Sequence, residues 1–310
     1  MTDTPTAVGI DLGGTKTRFV VVDGAHATGP TLTLPTPARE GGEAMMRTIV
    51  EGVEELIRTA GAPVAVGIGT AGVVDHRSGR IVAASDSFTD WAGTELGRHL
   101  ATKLGLPVSV DNDVNAFLFG ELTAGAVTAV PDVFGISVGT GVGGALAIDG
   151  DLHRGRHGAA GEIGHVPGFG DEPCTCGQYG HLESLASGRS IARRYRARAG
   201  TSDETTAADV TTRAADGDPA ALAVLAEAGD AIGRAALIVA GLLDVGDVVV
   251  GGGVSAAWDL LAPSVRRTVT DSAPVSGHPV RIHRARLGAD AAAVGAAALA
   301  LRDSRASADP

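Results

Sequence analysis

The sequence predicts an α/β protein built from two similar halves, and three observations carry that reading. Strand-like and helix-like stretches alternate along the chain, the pattern of sheets covered by helices. A glycine-tipped hairpin near the start, GIDLGGTKTRFVVVDG (9–24), has a second copy, GISVGTGVGGALAIDG (135–150), at a constant offset of 126 residues. The length, 310 residues, suffices for two lobes that each bury a core.

The elements follow in order. AVGIDLGGTKTRFVVVDG alternates apolar positions around a Gly-Gly turn and reads as a β-hairpin. GGEAMMRTIVEGVEELIRTAG sets Met45, Met46, Ile49, Val50, Val53, Leu56 and Ile57 on one helical face. PVAVGIGTAGVVD is a strand running into a loop, and TELGRHLATKLGL spaces Leu96, Leu100 and Leu104 as a helix does. PVSVDND is a strand ending on polar residues, with a helix from Val114. VVVGGGVS (248–255) is a buried strand, then glycines, then a helix start.

Composition narrows the function classes. The net charge is −11, and the one arginine-rich stretch, RSIARRYRARAG, reads as the solvated face of a helix, so no nucleic-acid partner is expected. The apolar run AALIVAGLLDVGDVVVGGG is broken by Asp244 and Asp247 short of a membrane span, so no membrane partner is expected either. Two cysteines and no signal segment point to the reducing cytoplasm.

Glycine tips let backbone N–H groups approach an anion where a Cβ would stand in the way. The first tip contributes Gly13 and Gly14, with Thr15, Lys16 and Thr17 as side-chain donors. The second contributes Gly139, Thr140, Gly141 and Gly143, and the third cluster Gly252 and Gly253. Singly each is an ordinary tight turn; three in one chain, two of them matched, read as a clamp for nucleotide phosphates. Asp11, on the strand before the first tip, suits Mg²⁺ held directly or through water. VDND places Asp111, Asn112 and Asp113 at a strand end, where α/β sites are built. Either aspartate could serve as a base, and an Asp there could equally cap the following helix. His165, Cys174, Cys176 and His181 form the set His-x8-Cys-x-Cys-x4-His. Two thiolates and two imidazoles with no open position make a structural, tetrahedral Zn²⁺ site.

The two hairpins, VDNDVNAFLFGE, GEIGH and CTCGQYGHLES, in this order, resemble the ROK family of bacterial sugar kinases and repressors, within the two-lobed actin-like ATPase (ribonuclease H-like) fold with an interlobe cleft. The resemblance runs from about Ala7 to Gly295; the hairpins are common to all actin-like ATPases, whereas the Cys-His cluster with GEIGH is specific to this family. It implies Asp113 as the catalytic base, Asn112 on a sugar hydroxyl, and Glu162, His165 and Glu183 on further hydroxyls, for which carboxylates are the best acceptors. The family usually has a third cysteine where His181 stands, a departure that keeps an accepted ligand type and changes the site's charge.

GTAGVVD (69–75) resembles the actinobacterial glucokinase form of the sugar loop, with Gly72 letting backbone approach the ring. Glucokinases usually carry Pro-Asn before the tryptophan; Ser85-Asp86-Ser87 stands in that loop here, and VDND with this altered loop is similar to N-acetylmannosamine kinases. The resemblance therefore implies ATP- and Mg²⁺-dependent phosphorylation of a hexose 6-hydroxyl, glucokinase-like, with an N-acetylhexosamine kinase or a non-catalytic sugar sensor as the alternatives. Family repressors carry a helix-turn-helix before the first hairpin, and six residues precede Ala7, which favours a kinase. The expected lobes are 1–112 with 288–310, the last including the helix ADAAAVGAAALALRD, and 113–287 with the zinc-binding loop; a homodimer or homotetramer is expected from the family.

Overall fold

The computed structural model describes residues 4–24 and 26–306. The chain divides into two compact units, one of residues 1–129, 152–160 and 286–310, the other of 130–151 and 161–285.

The first unit opens with strands β1 (Thr6–Leu12), β2 (Lys16–Asp23) and β3 (His26–Pro35), then helix α1 (Gly42–Ala60). Strand β4 (Ala65–Thr70), the short ribbon β5 (Val73–Asp75) and β6 (Arg80–Ala83), helix α2 (Leu96–Leu104), strand β7 (Val108–Asn112) and helix α3 (Asp113–Thr123) follow. The sheet runs β3-β2-β1-β4-β7, antiparallel through the hairpin and parallel from β1 to β7. The apolar faces expected of α1 and α2 are the ones used: Met45, Ile49, Val53 and Leu56 meet Leu96 and Leu100 in one core with Phe19, Ile68 and Trp91.

The second unit repeats the plan with β8 (Val133–Val138), β9 (Val142–Ile148) and β10 (Asp151–Leu152), the last reaching the junction with the first unit. Helices α4 (Glu183–Ala186), α5 (Gly188–Ala199), α6 (Ala207–Ala215) and α7 (Pro219–Leu243) come next. Strand β11 (Asp247–Gly251), helix α8 (Trp258–Asp271) and strand β12 (Arg281–Arg284) complete it, in the sheet order β10-β9-β8-β11-β12. A 3-10 turn, Gly253–Ala257, stands between β11 and α8, where the sequence reads as a direct helix start. The RSIARRYRARAG segment is α5, and its arginines are not merely solvated: Arg193 pairs with Glu172, and Arg194 and Arg198 with Glu227.

The two hairpins match in kind but not in turn length. Leu12 pairs with Thr17 across residues 13–16, while Val138 pairs with Val142 across residues 139–141. The spacing to Asp-Gly evens out because Asp23 stays paired with Thr6, whereas Asp149 leaves the ladder with φ 53°.

The chain returns to the first unit with helix α9 (Ala291–Ala306), which lies on β1, β4 and α3. The approach is close enough to require absent side chains: a Cβ on Gly9 or Gly67 would collide with the carbonyl of Ala293 or Ala296, and one on Gly295 with that of Ala116. This contact keeps α3 in the first unit, beyond the lobe limit of residue 112 that the sequence suggests. Residues 152–160 belong there too, a return that no composition shift in the sequence marks.

Glu121 pins the final crossover. It is fully buried and accepts the backbone N–H groups of Ala126, Arg286 and Leu287. No helix among the described residues is long and apolar enough to cross a membrane.

Candidate functional site

In the first unit the candidate groups gather at the C-terminal ends of β1, β4 and β7. Asp11 on β1 lies across from Arg18 and Gly69. Burial pushes its carboxyl up from 3.8 to about 7; the charge of Asp113 acts the same way, against Lys16 and Arg18. Asp113 thus lies within electrostatic reach of Asp11, and a divalent cation relieves such a pair of carboxylates.

The VDND stretch resolves into three roles. Asn112, not an aspartate, caps α3: its Oδ1 accepts from the N–H groups of Val114 and Asn115. Its Nδ2 donates to the carbonyl of Gly72 at 3.0 Å, with one N–H to spare. Gly72 has φ 106° and could not carry a Cβ without meeting the carbonyl of Ala83. Asp111 is buried and saturated: it takes Nε and Nη2 of Arg154 at 2.7 and 2.6 Å, Nδ2 of Asn115 at 2.8 Å and the N–H of Asn112. Both oxygens of Asp111 are thus committed to Arg154, Asn115 and the backbone of Asn112. Asp113, half-buried at the first turn of α3, accepts the N–H of Val114.

In the second unit the GEIGH segment lies on the second hairpin. A Cβ on Gly164 would collide with the carbonyl of Val142, and one on Gly161 would stand 2.6 Å from that of Gly144. Glycines there let Glu162 and His165 sit directly over β9. Glu162 opens to solvent on one side, yet the protein around its carboxyl pushes its pKa up; Glu183 adds to this and His165 opposes it. Glu183, at the start of α4, is buried, accepting the N–H of Val142 at 2.9 Å and the hydroxyl of Thr175 at 2.6 Å.

The same loop brings His165, Cys174, Cys176 and His181 together, with one ligand atom from each lying within 4.8 Å of the others. Cys174 Sγ is 3.7 Å from His165 Nδ1, and Cys176 Sγ is 3.4 Å from His181 Nδ1. A tetrahedron with zinc-ligand bonds of about 2.0–2.3 Å has edges of roughly 3.3–3.8 Å, so the donor set fits zinc. Burial pushes the Cys174 thiol up, a cost that a bound dication reverses. The loop is braced by backbone bonds from Cys174 to Gln178 and from Phe169 to Gly180.

The three glycine clusters differ in what they leave open. At the first tip Gly13 bonds Lys16 and Lys16 is exposed, whereas Thr17 is buried and its hydroxyl pairs with that of Thr36. Gly14 and Thr15 are exposed. At the second tip Gly139 bonds Gly141, Thr140 is exposed, and Gly143 pairs with Ser137 in the ladder. Gly252, at φ 86°, packs on Val138 of the same sheet, while the position of Gly253 is open.

The family model described as "ROK family" matches residues 7–303. This chain belongs to the ROK family. It is 34% identical to a glucokinase of Streptomyces coelicolor, over 94% of this chain and 96% of that one. It is 31% identical to an N-acetyl-D-glucosamine kinase of Escherichia coli O6:H1, over 95% of this chain and 99% of the relative. The structure of a ROK family glucokinase from Streptomyces griseus in complex with glucose and AMPPNP superposes with a TM-score of 0.84 at 33% identity, covering 96% of this chain and 99% of that one. The two-sheet α/β architecture is thus that of ROK proteins.

Two residues of this ROK chain escaped the sequence reading. Arg154, in HRGRHG, carries no local signal; only the return of residues 152–160 to the first unit brings it to Asp111. Thr175 lies between the two cysteines, a position whose importance appears only when the loop closes on Glu183.

Proposed function

We propose that this chain phosphorylates the 6-hydroxyl of a hexose with ATP and Mg²⁺, with glucose as the preferred acceptor. The observation that carries the reading is the relationship to glucokinases at 34% identity over nearly the whole chain, together with a likeness to a structure holding glucose and AMPPNP. Asp113 takes the proton of the 6-hydroxyl as its oxygen attacks the γ-phosphorus, and the bond to the β-phosphate oxygen breaks to release ADP. Asp111 stays with Arg154 and keeps the strand end in place, while Asn112 spans the Gly72 carbonyl and the first turn of α3. Glu162, His165 and Glu183 accept or share hydrogen bonds with the remaining hydroxyls. Nucleotide phosphates rest on Gly13, Gly14, Thr15 and Lys16 and on Gly139, Thr140 and Gly141, with Gly252 and Gly253 beside the base; Asp11 serves the Mg²⁺ that accompanies ATP. Zinc, when bound by His165, Cys174, Cys176 and His181, supplies a fixed loop shape.

An N-acetylhexosamine kinase is the second reading, favoured by the 31% identity to an N-acetyl-D-glucosamine kinase. ADP release measured over a panel of sugars tests both. Turnover with glucose exceeding that with N-acetylglucosamine and N-acetylmannosamine supports the first reading, and the reverse order supports the second. Sugar binding without turnover makes the protein a sensor, and ATP hydrolysis independent of sugar refutes the sugar-kinase reading.

A further inference from the structure

We propose that Thr175 is a positioning residue that fixes the Glu183 carboxylate in the orientation a sugar hydroxyl needs. The inference rests on Glu183 being a sugar-binding group, as argued above. Thr175 lies between two metal-ligating cysteines without belonging to the ligand set. Its hydroxyl donates to Glu183 Oε1 at 2.6 Å, while Oε2 accepts the N–H of Val142 at 2.9 Å. Each carboxylate oxygen carries two acceptor positions, so Oε2 keeps one for a ligand, while Oε1 has the Thr175 hydroxyl and, at a long 4.0 Å, the Cys174 thiol.

Two neighbours make this arrangement specific. Cys174 Sγ lies 4.0 Å from Oε1, too far to hold it, so the Thr175 hydroxyl is the short donor on that oxygen. On the other side, a Cβ on Gly141 would stand 2.6 Å from Oε2, so the bare glycine is what lets the carboxylate lie against the hairpin tip. Without the Thr175 hydroxyl, Oε1 has lost its short donor and can turn from the position that hydroxyl fixes. The Val142 bond does not involve Thr175, so the hairpin tip keeps its anchor.

The test compares wild type, Thr175→Val and Thr175→Ser as full-length, zinc-loaded protein. The readouts are steady-state kinetics for glucose and ATP, glucose binding by calorimetry without nucleotide, and metal content. Valine keeps the shape and removes the donor; its expected effect is an increase of about tenfold in the KM and Kd for glucose, the size of one lost hydrogen bond to a charged group. The KM for ATP stays within twofold, zinc per chain is unchanged, and serine restores glucose affinity to within twofold of wild type. Valine without effect on glucose affinity, loss of zinc in the valine variant, or failure of serine to rescue overturns the proposal. A wild type that binds glucose without phosphorylating any sugar refutes the kinase reading, while the Kd shift still decides Thr175. A wild type that binds no sugar overturns both.

Discussion

Replacing Asp11 with asparagine should stabilise the nucleotide-free protein while abolishing turnover. The carboxyl of Asp11 is raised from 3.8 to about 7 by burial and by Asp113. A group with a raised folded-state pKa contributes stability that is fully present below the unfolded value and is lost as pH rises through the folded one. For Asp11 the protonated form is favoured on folding, so its contribution fades between pH 3.8 and about 7, and above that the ionised group opposes folding. The full difference converts to a ceiling of about 4 kcal/mol. Asp11 keeps part of its surface in water, which screens the effect, so about 2 kcal/mol is the expected gain for Asp11→Asn at pH 8. Urea denaturation without Mg²⁺ or nucleotide, at pH 8 and at pH 5, measures it. The gain should shrink at the lower pH because wild-type Asp11 is then largely protonated. A gain equal at both pH values, or a destabilised variant at pH 8, would refute the account of Asp11 as an ionised group under strain from its surroundings.

Other outcomes follow from the same geometry. Asp113→Asn should leave the melting temperature within about 2 °C of wild type and lower kcat by about 10²–10⁴, read by ADP release; retention of wild-type kcat removes Asp113 from the mechanism. Metal analysis of purified protein should give about one zinc per chain, and Cys176→Ser should lose it together with glucose affinity; a metal-free protein of full activity breaks that link. Glu121→Gln turns one buried acceptor into a donor facing two backbone N–H groups and should cost about 2–4 kcal/mol in urea denaturation, with a cost below about 1 kcal/mol counting against the pinning role.

Local order was legible where period and punctuation agree. The hairpin, the α1 face and the strand ends of PVSVDND appear in the sequence because alternation, 3.6-residue spacing and glycine turns are short-range signals. The Cys-His cluster was legible because its four ligands stand within a span of 17 residues, from His165 to His181. What spacing could not show depends on distant partners. Asp111 and Asp113 look alike in VDND until Arg154, from a separate segment, occupies one of them. Thr17 reads as a phosphate donor until Thr36 claims its hydroxyl, and the one-residue difference between the hairpins is hidden by equal spacing to Asp-Gly.

The bare glycines of β1 and β4 have a bearing on biosynthesis. The surface that Gly9 and Gly67 form is matched by Ala293 and Ala296, made more than two hundred residues later. Until then the N-terminal sheet has an open, greasy side and no way to finish. Its completion must await the synthesis of α9, and a nascent chain stalled before that helix would be a natural client for a chaperone that shields exposed sheet.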